Sequence, residues 1–272
     1  YTDEHPAAWK QGVDFCHERS ASKIGIQLAH AGRKGSTSHT WDNEDGPLTE
    51  GAWQTIGPDA EPFRAGWPAP KAMDRADMDR VRDEFVAAVR RAEEAGFDLV
   101  ELHMAHGYLL SSFLSPLSNS RTDEYGGSLE NRVRYLRELI DITRETAKGE
   151  CAVTVRIIVE EFLGTKGIQA HEDGREIIEC LGELPDLWDV VCGTWEGDSP
   201  PSRFAPENVH EPYIELVKSV TTKPVVGVGR IKGNTDAGLP LPTQCRGNVG
   251  RQEDRLGRKQ GRWTLRPRQR AP

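Results

Sequence analysis

His103, His106 and Tyr108 place two imidazoles and a phenol in one short segment, just where the apolar run from Phe97 to Leu102 gives out. Groups of this kind hydrogen-bond an anion or a carbonyl oxygen and deliver a proton. Other strand-like runs end in the same manner. Gln27 and His30 close KIGIQLAH, Arg156 lies inside CAVTVRIIV, Gly193 and Thr194 follow LWDVVC, and Gly229 and Arg230 close KPVVGVGR. If these strands are parallel, an amide, imidazoles, two guanidinia and backbone glycines converge on one face. That set suits a planar heterocycle carrying a phosphate. Gln27 offers donor and acceptor to a pyrimidine edge, Arg156 can stabilise negative charge on a reduced ring, and Gly229 allows close approach to phosphate. An arginine among β-branched residues is costly to bury unpaired, which marks Arg156 as functional. A zinc pair at His103 and His106 lacks a third ligand at suitable spacing, so no metal is expected.

The elements that must position these groups alternate. Met78, Val81, Phe85, Ala88 and Ala92 recur at helical spacing ahead of Gly96, a C-cap residue. Ser128 is placed to cap a helix whose face is Leu129, Val133, Leu136 and Ile140. Helices are also expected over 172–184 and 212–220, between strands at 151–159, 187–192 and 223–230. This alternation predicts an α/β protein with a parallel sheet, either doubly wound or part of a (β/α)8 TIM barrel. No G-x-G-x-x-G follows any strand, which tips the balance towards the barrel. Residues 36–76, rich in Gly, Pro, Trp and acids, are expected to form a long lid or binding loop. Trp41, Trp53, Trp67 and Trp195 could form a cation–π cage for a methylated amine, or pack that loop.

Composition narrows the class. The 272 residues barely accommodate a whole barrel, which needs roughly 250. Five scattered cysteines without a C-x-x-C pair argue for reduced thiols in a cytoplasm. No apolar run is long enough to span a membrane and no signal peptide is evident. The chain opens on Tyr1 rather than Met, so its natural start is expected to lie upstream. The net charge of -8 is unevenly spread: residues 231–272 carry ten Lys and Arg against three Asp and Glu, and residues 1–230 carry 25 against 40. An acidic body does not suggest nucleic-acid binding. The basic, Gly-, Pro- and Gln-rich tail is expected to have little order.

The segments GIQLAHAGRKG, FDLVELHMAHGYLLSSFLSPLSNSRTDEYGGSLENR and KPVVGVGR resemble the Old Yellow Enzyme family of FMN-dependent oxidoreductases, over about Asp3 to Arg230. WEGDSPPSRF at 195–204 is similar to its dimethylamine and trimethylamine dehydrogenase branch. The resemblance implies a (β/α)8 barrel with FMN at the carboxyl ends of its strands. It assigns Gln27 to the flavin pyrimidine edge, Arg156 to the N1/O2 end of the ring, and Gly229 and Arg230 to the FMN phosphate. His103 and His106 would bind the substrate's polar group, and Tyr108 would donate the proton. It further implies NAD(P)H as reductant, an activated alkene as the small-molecule substrate, a cytoplasmic location, and a homo-oligomer in the intact parent. Arg121, Asp123, Tyr125, Gly126, Gly127, Glu130 and Arg132 are expected to order the loop ahead of a helix. The family pattern has two further strands before this chain's first. Its last strand, expected after Arg230, is replaced by a tail whose abrupt change of composition points to a frameshift. Strands three to seven are therefore expected, as residues 1–230 of an incomplete barrel. The alternatives are an N-demethylating amine dehydrogenase and, in another class, an inactive fragment that binds no cofactor.

Overall fold

The computed structural model describes residues 2–39, 46–194 and 205–230, together with the backbone of two short strands beyond them. Five strands, β1 (Gly25–Leu28), β4 (Leu99–Met104), β5 (Ala152–Glu160), β6 (Leu187–Cys192) and β7 (Val225–Gly227), form one parallel sheet in the order β1-β4-β5-β6-β7. Spatial order follows chain order without reversal. A doubly wound sheet reverses at a switch point, whereas a barrel winds one way, so this is the barrel's winding. The intervening helices are α2 (Arg75–Ala95), α4 (Leu129–Ala147), α5 (Arg175–Leu181) and α6 (Glu211–Val220).

The strand pleat divides the side chains into two sets. Val100, Leu102 and Met104 of β4, Val153, Val155 and Ile157 of β5, and Trp188 and Val190 of β6 are buried, and they align in register from strand to strand. They join Val81, Phe85 and Val89 of α2 and Val133, Leu136 and Ile140 of α4 in the apolar core. The opposite set holds Gln27, Glu101, His103, Thr154, Arg156 and Asp189. The second face is thus polar and positions the candidate site.

Local signals explain the helix ends. Asp74 caps α2 through a reciprocal capping box with Asp77, and Gly96 ends it with φ 86°. Ser128 accepts from the Asn131 N–H at 3.3 Å at the start of α4, as its position in the sequence suggests. Several elements differ from expectation. The strand predicted from Phe97 to Leu102 runs to Met104, so His103 lies inside it. The helix predicted over 172–184 begins as a π-helical turn, Ala170–Gly174, and is α-helical only from Arg175 to Leu181. Gly174 lies so close to the Val159 carbonyl that an added Cβ would sit 2.3 Å from its oxygen. Within 36–76, β2 (Ile56–Gly57) pairs with β3 (Lys71–Ala72), so the long loop has a fixed base. Two helices not anticipated are α1 (His5–Arg19) and α3 (Leu109–Leu114).

The amino end of the sheet is fastened by Asp98. Its carboxylate accepts from Lys23 Nζ at 2.5 Å, His17 Nε2 at 2.7 Å and the Ile24 N–H at 2.9 Å, tying α1 and β1 to β4. Burial works against the charged form, yet the bonds from Lys23, Ile24 and His17 bring the carboxyl down to about 2. A carboxylate depressed in the fold stabilises above its unfolded value, near 3.8, and loses that contribution as pH falls towards 2. Asp98→Asn should therefore lower Tm at pH 7, with the gap from the wild-type chain closing between pH 4 and pH 2. A constant gap over that range would contradict the assignment.

The chain divides into two compact units, Tyr1–Arg230 and Ile231–Pro272. In the second, β8 (Leu256–Lys259) and β9 (Arg262–Leu265) pair antiparallel.

Candidate active site

One rung across three strands carries the site: His103 of β4 pairs in register with Arg156 of β5, and Arg156 with Asp189 of β6. One rung closer to the amino end, Gln27, Glu101 and Thr154 are aligned. Gln27 Nε2 donates to Glu101 Oε1 at 2.7 Å, and Thr154 Oγ1 lies 3.4 Å from Glu101 Oε2. Arg156 Nε stands 3.4 Å from Asp189 Oδ2, but neither Arg156 Nε nor Asp189 Oδ1 makes a hydrogen bond among the described residues. Burial pushes the Asp189 carboxyl up to about 6; the Arg156 charge opposes this, and the Glu101 charge adds to it.

Beyond Met104 the chain folds back over the strand end. His106 and Gly107 both adopt left-handed backbone, with φ 60° and 69°. This costs little at Gly107, and histidine is among the residues that tolerate the region. The reversal brings His106 Nδ1 to 3.2 Å from His103 Nε2, and places the Tyr108 ring 5.4 Å from that of His103. Tyr108 then stands at the N-cap of α3, whose six residues are all buried. The three expected residues therefore form one cluster.

His103 Nδ1 is buried and makes no hydrogen bond among the described residues. An unsatisfied buried ring nitrogen costs roughly 1–3 kcal/mol, so the cluster offers a ligand a favourable polar contact. Burial lowers the His103 pKa to about 3, and the nearby His106 and Arg156 push it the same way. The imidazole is thus neutral at physiological pH, and a ligand meets an uncharged ring there. Between pH 5 and pH 8 the His103 ring resonances should stay flat in an NMR titration; a midpoint near 6.5 would contradict this reading.

Two neighbours were not singled out from sequence. Lys34 Nζ donates to the His106 carbonyl at 2.6 Å and lies 4.7 Å from the Phe63 ring centroid and 5.5 Å from that of Tyr108. It thereby fixes the turn that carries the second imidazole. Glu161, buried just past β5, accepts from Ser115 Oγ at 2.7 Å and the Ile168 N–H at 2.8 Å, tying the β5 loop to α3. Burial raises its pKa against those bonds. The AGRKG segment contained Lys34, but only the fold shows what its ammonium touches.

The remaining predicted residues take other places. Gly229, with φ 135°, packs so tightly on His210 that an added Cβ would lie 3.0 Å from the His210 backbone nitrogen. Arg230 donates to the Ala205 carbonyl, ahead of α6. Neither lies on the His103–Arg156 rung. His30 Nδ1 accepts from the Gly32 N–H at 3.0 Å and shapes the loop after β1. Trp53 is exposed, and Trp67 stacks edge-on against Phe63. Trp41, Trp195 and the WEGDSPPSRF motif lie outside the described residues. The expected structural set does order its loop. Arg121 Nη1 donates to the Pro58 carbonyl at 2.7 Å and the Met73 carbonyl at 2.6 Å, and an added Cβ on Gly126 would meet the Arg121 oxygen at 2.3 Å. Among the described residues no helix is long and apolar enough to cross a membrane.

Comparison with known proteins gives this geometry a lineage. The family described as NADH:flavin oxidoreductase / NADH oxidase matches residues 1–243. The chain is 46% identical over 186 residues to an NADH:flavin oxidoreductase of Gibberella zeae, covering 66% of this chain and 42% of that protein. It is 44% identical over 245 residues to an NADPH dehydrogenase of Geobacillus thermodenitrificans, covering 87% and 64%. Among solved structures, histamine dehydrogenase from Rhizobium sp. 4-9 superposes with a TM-score of 0.74 at 33% identity, covering 93% of this chain and 34% of that one. The chain spans about half the length of the curated relatives it matches. The family fold is a (β/α)8 barrel, and the described sheet supplies five of its strands. The chain belongs to the NADH:flavin oxidoreductase / NADH oxidase family, the Old Yellow Enzyme family that its central segment resembles.

Proposed function

We propose that this chain carries the flavin and substrate face of an FMN-dependent oxidoreductase, with NAD(P)H as reductant and an activated alkene as acceptor. The observation that carries the reading is the buried Nδ1 of His103, which has no hydrogen bond among the described residues, beside His106, Tyr108 and Arg156 at one end of the parallel sheet. The donor set fits FMN. Among the described residues the terminal nitrogens of Arg156 make no hydrogen bond, leaving a cation available to an electron-rich ring. Gln27 supplies a primary amide to a pyrimidine edge.

FMN, when bound, supplies hydride transfer; the protein supplies binding, orientation and a proton. Arg156 would hold negative charge at the N1/O2 end of the ring, and Gln27 would bond its pyrimidine edge. Gly229 and Arg230 would meet the phosphate. His103 and His106 would bind a carbonyl oxygen of the substrate, His103 as a neutral ring. Tyr108 would donate the proton to the carbon that receives it. Four free thiols among the described residues fit a reducing, cytoplasmic setting.

A second reading, oxidation of an N-methyl or primary amine, is favoured by the likeness to histamine dehydrogenase and by WEGDSPPSRF. The chain reconstituted with FMN should oxidise NADPH when given an enone and leave methylated amines untouched. Reduction of an artificial electron acceptor by a methylated amine, without enone-dependent NADPH consumption, would sink the first reading in favour of the second.

A further inference from the structure

Asp189 was assigned no role from the sequence, yet it occupies the rung of the sheet that carries Arg156. The two are register partners on adjacent strands, with Oδ2 at 3.4 Å from Nε. Side-chain exposure is 15% for Asp189 and 27% for Arg156, so water screens their attraction only partly. Each also keeps a buried atom without a hydrogen bond among the described residues, Nε on the guanidinium and Oδ1 on the carboxylate. A carboxylate placed this way does not satisfy the guanidinium as a bidentate pair would. It holds the guanidinium by charge from the Nε side, with Nε itself left without a hydrogen bond among the described residues.

We propose that Asp189 is a positioning residue for Arg156: as its counter-ion on β6 it anchors the guanidinium and sets how much positive charge Arg156 presents to an electron-rich ring. This rests on the reading of Arg156 as the flavin contact. The charge that a flavin meets is then that of a pair, one whose carboxylate gains a proton within the physiological range. Burial pushes the Asp189 carboxyl up to about 6, where Arg156 holds it down and Glu101 holds it up. The charged and titratable groups facing the pair from β4 are Glu101 and His103; the neighbouring β7 residues, Val225 to Gly227, have none. His103 stays neutral through this range, so the coupling belongs to Asp189 and Glu101. Below pH 6 the protonated carboxyl leaves Arg156 with its full charge. Above it, the pair is closer to neutral.

The first test needs no flavin. In the apo chain, the Arg156 Nε–H resonance should move with pH about a midpoint near 6. Asp189→Asn should abolish that movement, and Glu101→Gln should shift the midpoint down. A resonance that is flat from pH 4.5 to pH 8 in the wild-type chain, or one that still titrates in Asp189→Asn, overturns the proposal. The wild-type titration decides the matter even if Asp189→Asn fails to fold. With FMN bound, Asp189→Asn should raise the flavin reduction potential and remove the inflection near pH 6 from its pH profile, leaving the slope set by the proton that flavin reduction itself takes up. A wild-type chain that shows the titration but binds no FMN defeats the functional reading and leaves the Arg156–Asp189 pairing standing.

Discussion

Under the proposed function, Tyr108→Phe should slow alkene reduction by about 10²- to 10⁴-fold, the range for losing a positioned proton donor, and leave flavin reduction by NADPH unchanged. The asymmetry follows from geometry. Phe keeps the ring that stands 5.4 Å from His103 and 5.5 Å from the Lys34 ammonium, so the cluster's packing survives. Only the phenolic proton is lost, and in the proposed mechanism only the oxidative half-reaction would use it. Stopped-flow measurement of the two half-reactions separates the effects. Equal slowing of both halves would indicate a structural role for Tyr108, and no slowing of either would remove it from the chemistry.

Arg132→Met should destabilise the chain by about 2–3 kcal/mol, at or below the lower end for breaking a buried ion pair, because Arg132 is buried and Asp173 only partly so. Arg132 is buried on α4, donates to the Leu114 carbonyl at the end of α3, and pairs with Asp173 Oδ1 at 2.7 Å. Its removal leaves the carbonyl and the carboxylate without their donor, and α3 loses the clamp that holds it behind Tyr108. Urea unfolding gives the loss directly, and adding Asp173→Asn should recover part of it. A loss below about 0.5 kcal/mol, the usual range for surface substitutions, would mean that the clamp contributes nothing. A residue expected only to order a loop thus supports the site through the helix behind it.

The elements legible in the sequence were those with a clear period or a clear stop. LWDVVC reads as a strand and is one over Leu187–Cys192; Gly96 and Ser128 end and begin helices where their chemistry requires. Helix α3 was invisible because it is only six residues long and buried all round, too short to reveal a period. Helix α1 was missed for the opposite reason: only Pro6 and Val13 are buried, so its apolar stripe is too thin to register. The π-helical turn at Ala170–Gly174 depends on the close approach of Gly174 to β5, a tertiary contact with no local signature.

At the candidate site, residue types and strand ends singled out His103, His106, Tyr108, Gln27 and Arg156 as candidates, and the fold brings the first three into one cluster beside Arg156. Their partners were not readable, because a cross-strand neighbour is known only once the register is known. Glu101 beside Gln27 and Asp189 beside Arg156 follow from pairings between strands separated by tens of residues in the chain. Lys34 and Glu161 sit on loops that the fold alone brings against His106 and Ser115.

The central claim, that this face of the sheet holds FMN, is tested most directly by the visible absorption spectrum of the chain after incubation with FMN and desalting. A retained band near ~450 nm, the signature of the oxidised cofactor, is the predicted result, and Arg156→Met should lose most of it. A colourless wild-type chain would contradict the claim, and the polar face would then be the interior of a barrel that binds no flavin in this form.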